Sequence, residues 1–171
     1  MAGCVDFETR TVLVGDIDDA MVNDFIKAFY ILEKTSDYPA HLIINSRGGD
    51  WAGGLAIFDT IKDFPAPVTC EVRGKCMSMA VIIAQACDTR WVHPHSSVMV
   101  HNGNAGADGD AINFENWARY SKSERRKMYE LLGDRTGHKP EFWRRKCASG
   151  DLILNADQAV ALGLFDLVVG K

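Results

Sequence analysis

The sequence contains no apolar run approaching the roughly 18 residues of a membrane span, and Met1 to Arg10 lack the basic-then-apolar layout of a secretory signal. A soluble, cytoplasmic protein is the expectation. There is no excess of positive charge, since 19 basic side chains stand against 23 acidic ones and the formal net charge is -4. Nucleic acid and anionic membranes therefore gain no general electrostatic attraction to this surface, and neither is expected as a partner. The cysteines (Cys4, Cys70, Cys76, Cys87 and Cys147) are odd in number and never spaced as CxxC, which argues against a disulfide framework and a zinc knuckle. They read as reduced, packed thiols. No motif calls for a metal or a resident cofactor, no period of about 20 to 50 residues repeats, and no low-complexity stretch interrupts the chain.

What is present suits a single domain covering residues 1–171, with 47% hydrophobic residues to build its core. Short β-rich runs alternate with helical patterns. The run from Thr11 to Gly15 reads as a strand, after which Met21, Val22, Phe25, Ile26, Phe29 and Leu32 recur at helical spacing. A second strand, His41 to Asn45, leads through Gly48 and Gly49 into a helix from Ala52 to Phe64, closed by Pro65 and Pro67. A third, Val68 to Val72, passes Arg73 and Gly74 and enters a helix apolar on nearly every side. Three strand–helix steps imply an α/β fold with a largely parallel sheet. Two further short strands follow, ending at His93 and His101, then a polar, glycine-rich stretch from Asn102 to Asp110. One long helix is expected from about Ala111 to Arg135, with Trp117, Tyr120, Met128, Leu131 and Leu132 among its apolar members and Gly137 as its cap. Asn155 and Gln158 have capping-box spacing ahead of a short helix and a last strand, Leu164 to Val169.

In such a sheet, ligands collect where strand ends lead into helix N-termini. Glycines 48 and 49 mark one such junction, where a substrate backbone can approach bare peptide groups. Ser78 marks another, at the start of the most apolar helix. A serine there is ordinarily an N-cap, yet the same position surrounds a nucleophile with oriented N–H donors. Five histidines are available as its base. His41 opens a strand, His138 sits in a turn, and His93 and His95 flank Pro94, whereas His101 closes a strand beside the glycine-rich stretch and is the best placed. No pattern selects the acid that would orient it. Asp151 stands out only mildly, ahead of the apolar Leu152, Ile153 and Leu154.

Four ordered blocks carry a family resemblance: INSRGGDWAGGLAIFDTI, GKCMSMA, SSVMVHN and DLILNADQAVALGLFD. From about Arg10 onward the chain resembles the proteolytic subunit of Clp, the ATP-dependent protease. The resemblance implies a spiral of β-β-α units, related to the crotonase fold, with a projecting handle over residues of about 102–137. It implies that Ser78 is the nucleophile, His101 the general base and Asp151 the residue orienting the imidazole, with the N–H groups of Gly49 and Met79 as the oxyanion hole. Peptides would bind as an added strand along Gly48, Asp50, Asn102 and Gly103. Partners would be unfolded polypeptides, further copies in heptameric rings stacked as a tetradecamer, and an ATP-driven unfoldase, through which alone ATP would enter.

Several positions depart from the family pattern. Arg47 stands where a proline is usual, Cys76 and Met77 replace smaller residues, Asn102-Gly103 replaces Gln-Pro, and Ser149-Gly150 occupies the place of a ring-coupling arginine. The N-terminus is expected to lack the axial pore loops that contact the unfoldase, so a phage-type enzyme processing capsid proteins is an alternative role. A non-proteolytic ring subunit would need a broken triad, and all three positions are filled. A crotonase-type acyl-CoA enzyme would leave Ser78 with His101 unexplained.

Overall fold

The computed structural model describes residues 5–104, 106 and 110–171; the remainder of the glycine-rich stretch, Ala105 and residues 107–109, lies outside them. β1 (Val5–Asp6) pairs antiparallel with β2 (Thr11–Val14), and β2 opens a parallel series with β3 (Ala40–Ser46), β4 (Val68–Met77), β5 (Thr89–Val92) and β8 (Leu167–Val168). The helices between them begin and end where local chemistry dictates. Asp18 caps α1 (Asp19–Thr35) by accepting from the Met21 N–H, and Phe25, Ala28, Phe29 and Leu32 form its buried stripe. Ile26, expected on that stripe, lies at its edge and is exposed. Asp50 caps α2 (Trp51–Asp63), which stops at Phe64 ahead of Pro65. All eight residues of α3 (Met79–Ala86) are buried, as its all-round apolar character predicts.

α1 packs on α2 and α2 on α3, covering the sheet face formed by Val12, Val14, Leu42, Ile44, Cys70 and Val72, each essentially inaccessible. Stacking of Phe25 on Phe29, with ring centroids 4.4 Å apart, and the edge-on contact of Phe64 with Phe29 at 5.0 Å join α1 to the end of α2. Each such buried ring contributes about 1.5–3 kcal/mol over an exposed one. The four described cysteines are free and buried.

β4 is longer than its sequence pattern suggests. It runs on through Arg73 and Gly74 to Met77, and its two halves have different neighbours: Thr69–Val72 pair with β5, while Lys75–Met77 pair with β6 (Ser97–Val100). The register against β3 shifts between Ile44 and Ser46, where the strand changes course. β6 continues the sheet into β7 (Leu152–Asn155), antiparallel, in the register Val100↔Leu152. Asn155 then caps α6 (Ala156–Ala161) with Gln158 in the expected capping box. The last strand is only Leu167–Val168, because Leu164 and Phe165, expected to begin it, are buried in the turn before it.

α4 (Ala111–Thr136) ends at Gly137, which takes the left-handed conformation at φ 73°. Its first buried residue is Met128, so the N-terminal half, with Trp117 and Tyr120 about half exposed, stands clear of the hydrophobic core. A short helix that the sequence pattern did not suggest, α5 (Pro140–Lys146), folds back on α4. Its Trp143 is fully buried and donates an indole hydrogen bond of 3.1 Å to Thr136.

On the sheet face away from these helices, Glu71 is buried and accepts from Arg73 at 2.7 Å and His93 at 3.2 Å, with His41 at 3.5 Å. Burial alone would raise its carboxyl, but these three donors outweigh it and hold the group at about 2, below the ordinary 4.5. A depressed carboxyl contributes stability above its unfolded value that is lost as pH falls through the folded one. Glu71→Gln should therefore cost on the order of 1–3 kcal/mol at neutral pH. The gap to the unsubstituted protein should close as pH falls from 4.5 toward 2, which urea melts across that window would measure. A gap independent of pH would assign the loss to packing.

Candidate active site

Ser78 joins β4 to α3 in a conformation that few residues adopt, with φ 54° and ψ −123°. A non-glycine residue held there costs about 1–3 kcal/mol, and such strain gathers at functional sites. The turn has the sharp strand-to-helix form known from nucleophile elbows. The N-cap explanation of this serine fails, because its hydroxyl makes no cap hydrogen bond. Instead Ser78 Oγ lies 2.8 Å from His101 Nε2. The backbone reinforces this pairing, since the Ser78 N–H donates to the Met99 carbonyl at 2.8 Å and so ties the serine to the strand that carries His101.

The antiparallel register of β6 and β7 explains how Asp151 comes close. Val100 is paired with Leu152, so the next step outward on each strand brings His101 opposite Asp151. His101 Nδ1 is 3.6 Å from Asp151 Oδ1, an ion-pair distance longer than a hydrogen bond. The imidazole is mostly buried and the carboxylate is 57% exposed. The other histidines make no such contact: His41 and His93 are committed to Glu71, and His138 stacks on Phe142.

The paired glycines form the opposite wall. Ser46, buried at the end of β3, accepts from the Gly48 N–H at 3.0 Å. The Ile17 N–H donates to the Gly48 carbonyl, and the Asp50 N–H donates to the Ile17 carbonyl, a single parallel bridge centred on Gly49. In such a bridge the central residue's own N–H faces away from the partner, so the Gly49 amide turns from Ile17. Both positions require glycine. A Cβ at Gly49 would lie 2.1 Å from the Ile17 carbonyl oxygen, and one at Gly48 would lie 2.8 Å from the Ser78 Cβ. Gly48 thus packs against the serine, while Gly49, Asp50, Ser78, Met79, His101, Asn102 and Gly103 line one groove of about 750 Å³. The N–H of Met79, first in α3, has no intrahelical acceptor. Across the groove stand Phe114, Trp117 and Met128 of α4, and the Trp51 indole donates to Glu124 of that helix.

One residue at this site, Tyr129, was not singled out by sequence. Tyr129 of α4 donates to the Asn102 side-chain oxygen, and the Asn102 amide donates to the Cys147 carbonyl at 2.9 Å. Tyr129 falls within the apolar stripe of α4, and its one polar atom there was the available signal. Both the oxygen and the amide nitrogen of the Asn102 side chain are thus engaged by neighbouring elements.

A strained serine against an imidazole, at the strand ends of an α/β sheet, belongs to the class of serine peptidases and related acyl-transfer enzymes. The Clp protease family model matches residues 5–171, and the chain belongs to that family. Among solved structures it is similar to an asparagine-to-aspartate mutant of ClpP1 from Listeria monocytogenes, at 27% identity and a TM-score of 0.88 over 96% of this chain and 94% of that one. The α/β fold is ClpP-like, and serine-type proteolysis is the function at family level. Among the described residues no helix is long and apolar enough to cross a membrane.

Proposed function

We propose that the chain is one peptidase domain, a serine endopeptidase that cleaves unfolded polypeptides inside an oligomeric chamber. The observation that carries this reading is the 2.8 Å approach of Ser78 Oγ to His101 Nε2 at a strained strand–helix turn. Ser78 Oγ attacks the scissile carbonyl as His101 Nε2 takes its proton, and the carbonyl oxygen becomes an oxyanion received by the N–H groups of Gly49 and Met79. The tetrahedral intermediate collapses as the imidazolium returns the proton to the leaving amine, leaving an acyl-enzyme on Ser78. Water then attacks this ester with His101 again as base, releasing the acid and restoring the serine. Asp151 keeps the Nδ1 proton directed toward itself and stabilises the imidazolium.

The substrate lies as an extended strand between Gly48–Asp50 and the Asn102–Gly103 main chain, bound through backbone hydrogen bonds that tolerate many sequences. Side-chain discrimination falls to the aromatic wall of α4. The exposed Ile112, Phe114, Trp117 and Tyr120 on the same helix support its burial against another copy, consistent with rings stacked through the handle. An unfoldase would deliver folded substrates to such a chamber.

Light scattering combined with two substrates tests this reading. The expected result is an oligomer that hydrolyses a short fluorogenic peptide and an unfolded protein but spares the same protein folded. A monomer that degrades folded protein would contradict the chamber, because an open site imposes no size exclusion.

A further inference from the structure

The catalytic imidazole is clamped on both sides to the segment that leads to its acid. On one side the Cys147 thiol lies against the Val100 carbonyl at 3.9 Å, and on the other the Asn102 amide donates to the Cys147 carbonyl at 2.9 Å. His101 is the residue between. Cys147 closes α5, four residues before Asp151, and is 1% exposed. Burial, with Asp151 nearby, pushes its thiol up to about 11, so it stays neutral. Asn102 is in turn held from α4 by the Tyr129 hydroxyl, which burial likewise keeps protonated. Bonds at both ends of the Asn102 side chain, one to α4 and one to the Cys147 carbonyl, restrain its orientation.

Resting on the peptidase reading, we propose that Asn102 is a positioning residue: the Tyr129–Asn102–Cys147 chain sets the separation of His101 from Asp151 and makes it depend on where α4 sits. The β6–β7 register brings His101 opposite Asp151, but the ladder ends at Val100 and Leu152, so their exact separation is left to contacts outside the sheet. The clamp supplies that constraint. It also ties proton handling to α4, the helix that forms the far wall of the groove.

Asn102→Ala removes both hydrogen bonds, and the milder Tyr129→Phe removes one while keeping the ring packed. Each should lower kcat by about 10- to 100-fold with KM nearly unchanged, the scale expected of a misplacement near 1 Å. In an Asp151→Ala background the same substitutions should have little further effect, because the distance they control no longer matters. ¹⁵N-histidine NMR reads the clamp without turnover: His101 should hold its proton on Nδ1 in the unsubstituted protein and populate both tautomers in Asn102→Ala. Loss of activity that multiplies with that of Asp151→Ala, or an unchanged tautomer, would overturn the positioning role. A tautomer shift in a protein whose unsubstituted form hydrolyses nothing would retain the clamp and remove the peptidase reading instead.

Discussion

Ser78→Ala is expected to reduce hydrolysis of a fluorogenic peptide by about 10⁶, and His101→Ala by a similar factor, because nucleophile and base act as one unit. The geometry makes this the largest effect available. Ser78 Oγ has His101 Nε2 at 2.8 Å, and none of the other histidines shares that contact. With the hydroxyl gone, the proposed oxyanion hole and substrate groove would remain, so catalysis of about 10³–10⁴ over water should persist. The double variant should be no worse than either single one. The fold should not suffer, since the hydroxyl caps no helix. Alanine retains the unfavourable φ of 54°, so any change in Tm should be small. Turnover in Ser78→Ala within tenfold of the unsubstituted protein would exclude an acyl-enzyme at this residue.

Asp151→Asn should give a folded protein with turnover lower by about 10⁴, the loss expected when the imidazole is held in the wrong tautomer. An asparagine amide would donate toward Nδ1 and favour the proton on Nε2, where it blocks acceptance from Ser78. The carboxylate is 57% exposed and 3.6 Å from Nδ1, so its hold on the ring is looser than that of a buried acid. Asp151→Ala should accordingly be less damaging than Asp151→Asn, since water can take the vacated place without imposing a tautomer. Stopped assays of kcat for the two variants check the order. Equal turnover in Asp151→Asn and the unsubstituted protein would dismiss Asp151 as the orienting residue.

Much of the scaffold was legible because it follows from periodicity. The stripe of Phe25, Phe29 and Leu32, the all-apolar α3 and the Asn155–Gln158 box each encode their own local structure. The two ends of β4 were not legible, since a change of partner within one strand leaves no mark on alternation. Helix α5 was missed although Pro140, Glu141 and the basic Arg144 to Lys146 carry ordinary start and stop signals. At the site, a serine before an apolar helix is ambiguous from composition alone, and it is the positive φ, the absent cap hydrogen bond and the His101 contact that set Ser78 apart from a cap. His101 could be preferred by position. Asp151 could not, because its place opposite His101 depends on the pairing of two strands about fifty residues apart in sequence. Resemblance to a family named Asp151 in advance, without the strand pairing that brings it there.

Mass spectrometry of peptides after treatment with a fluorophosphonate tests the central claim most directly. The account predicts a single phosphonyl adduct on Ser78, formed slowly or not at all in His101→Ala, whose serine has lost its base. An adduct on a different serine, or equal labelling of Ser78 with and without the imidazole, would contradict it.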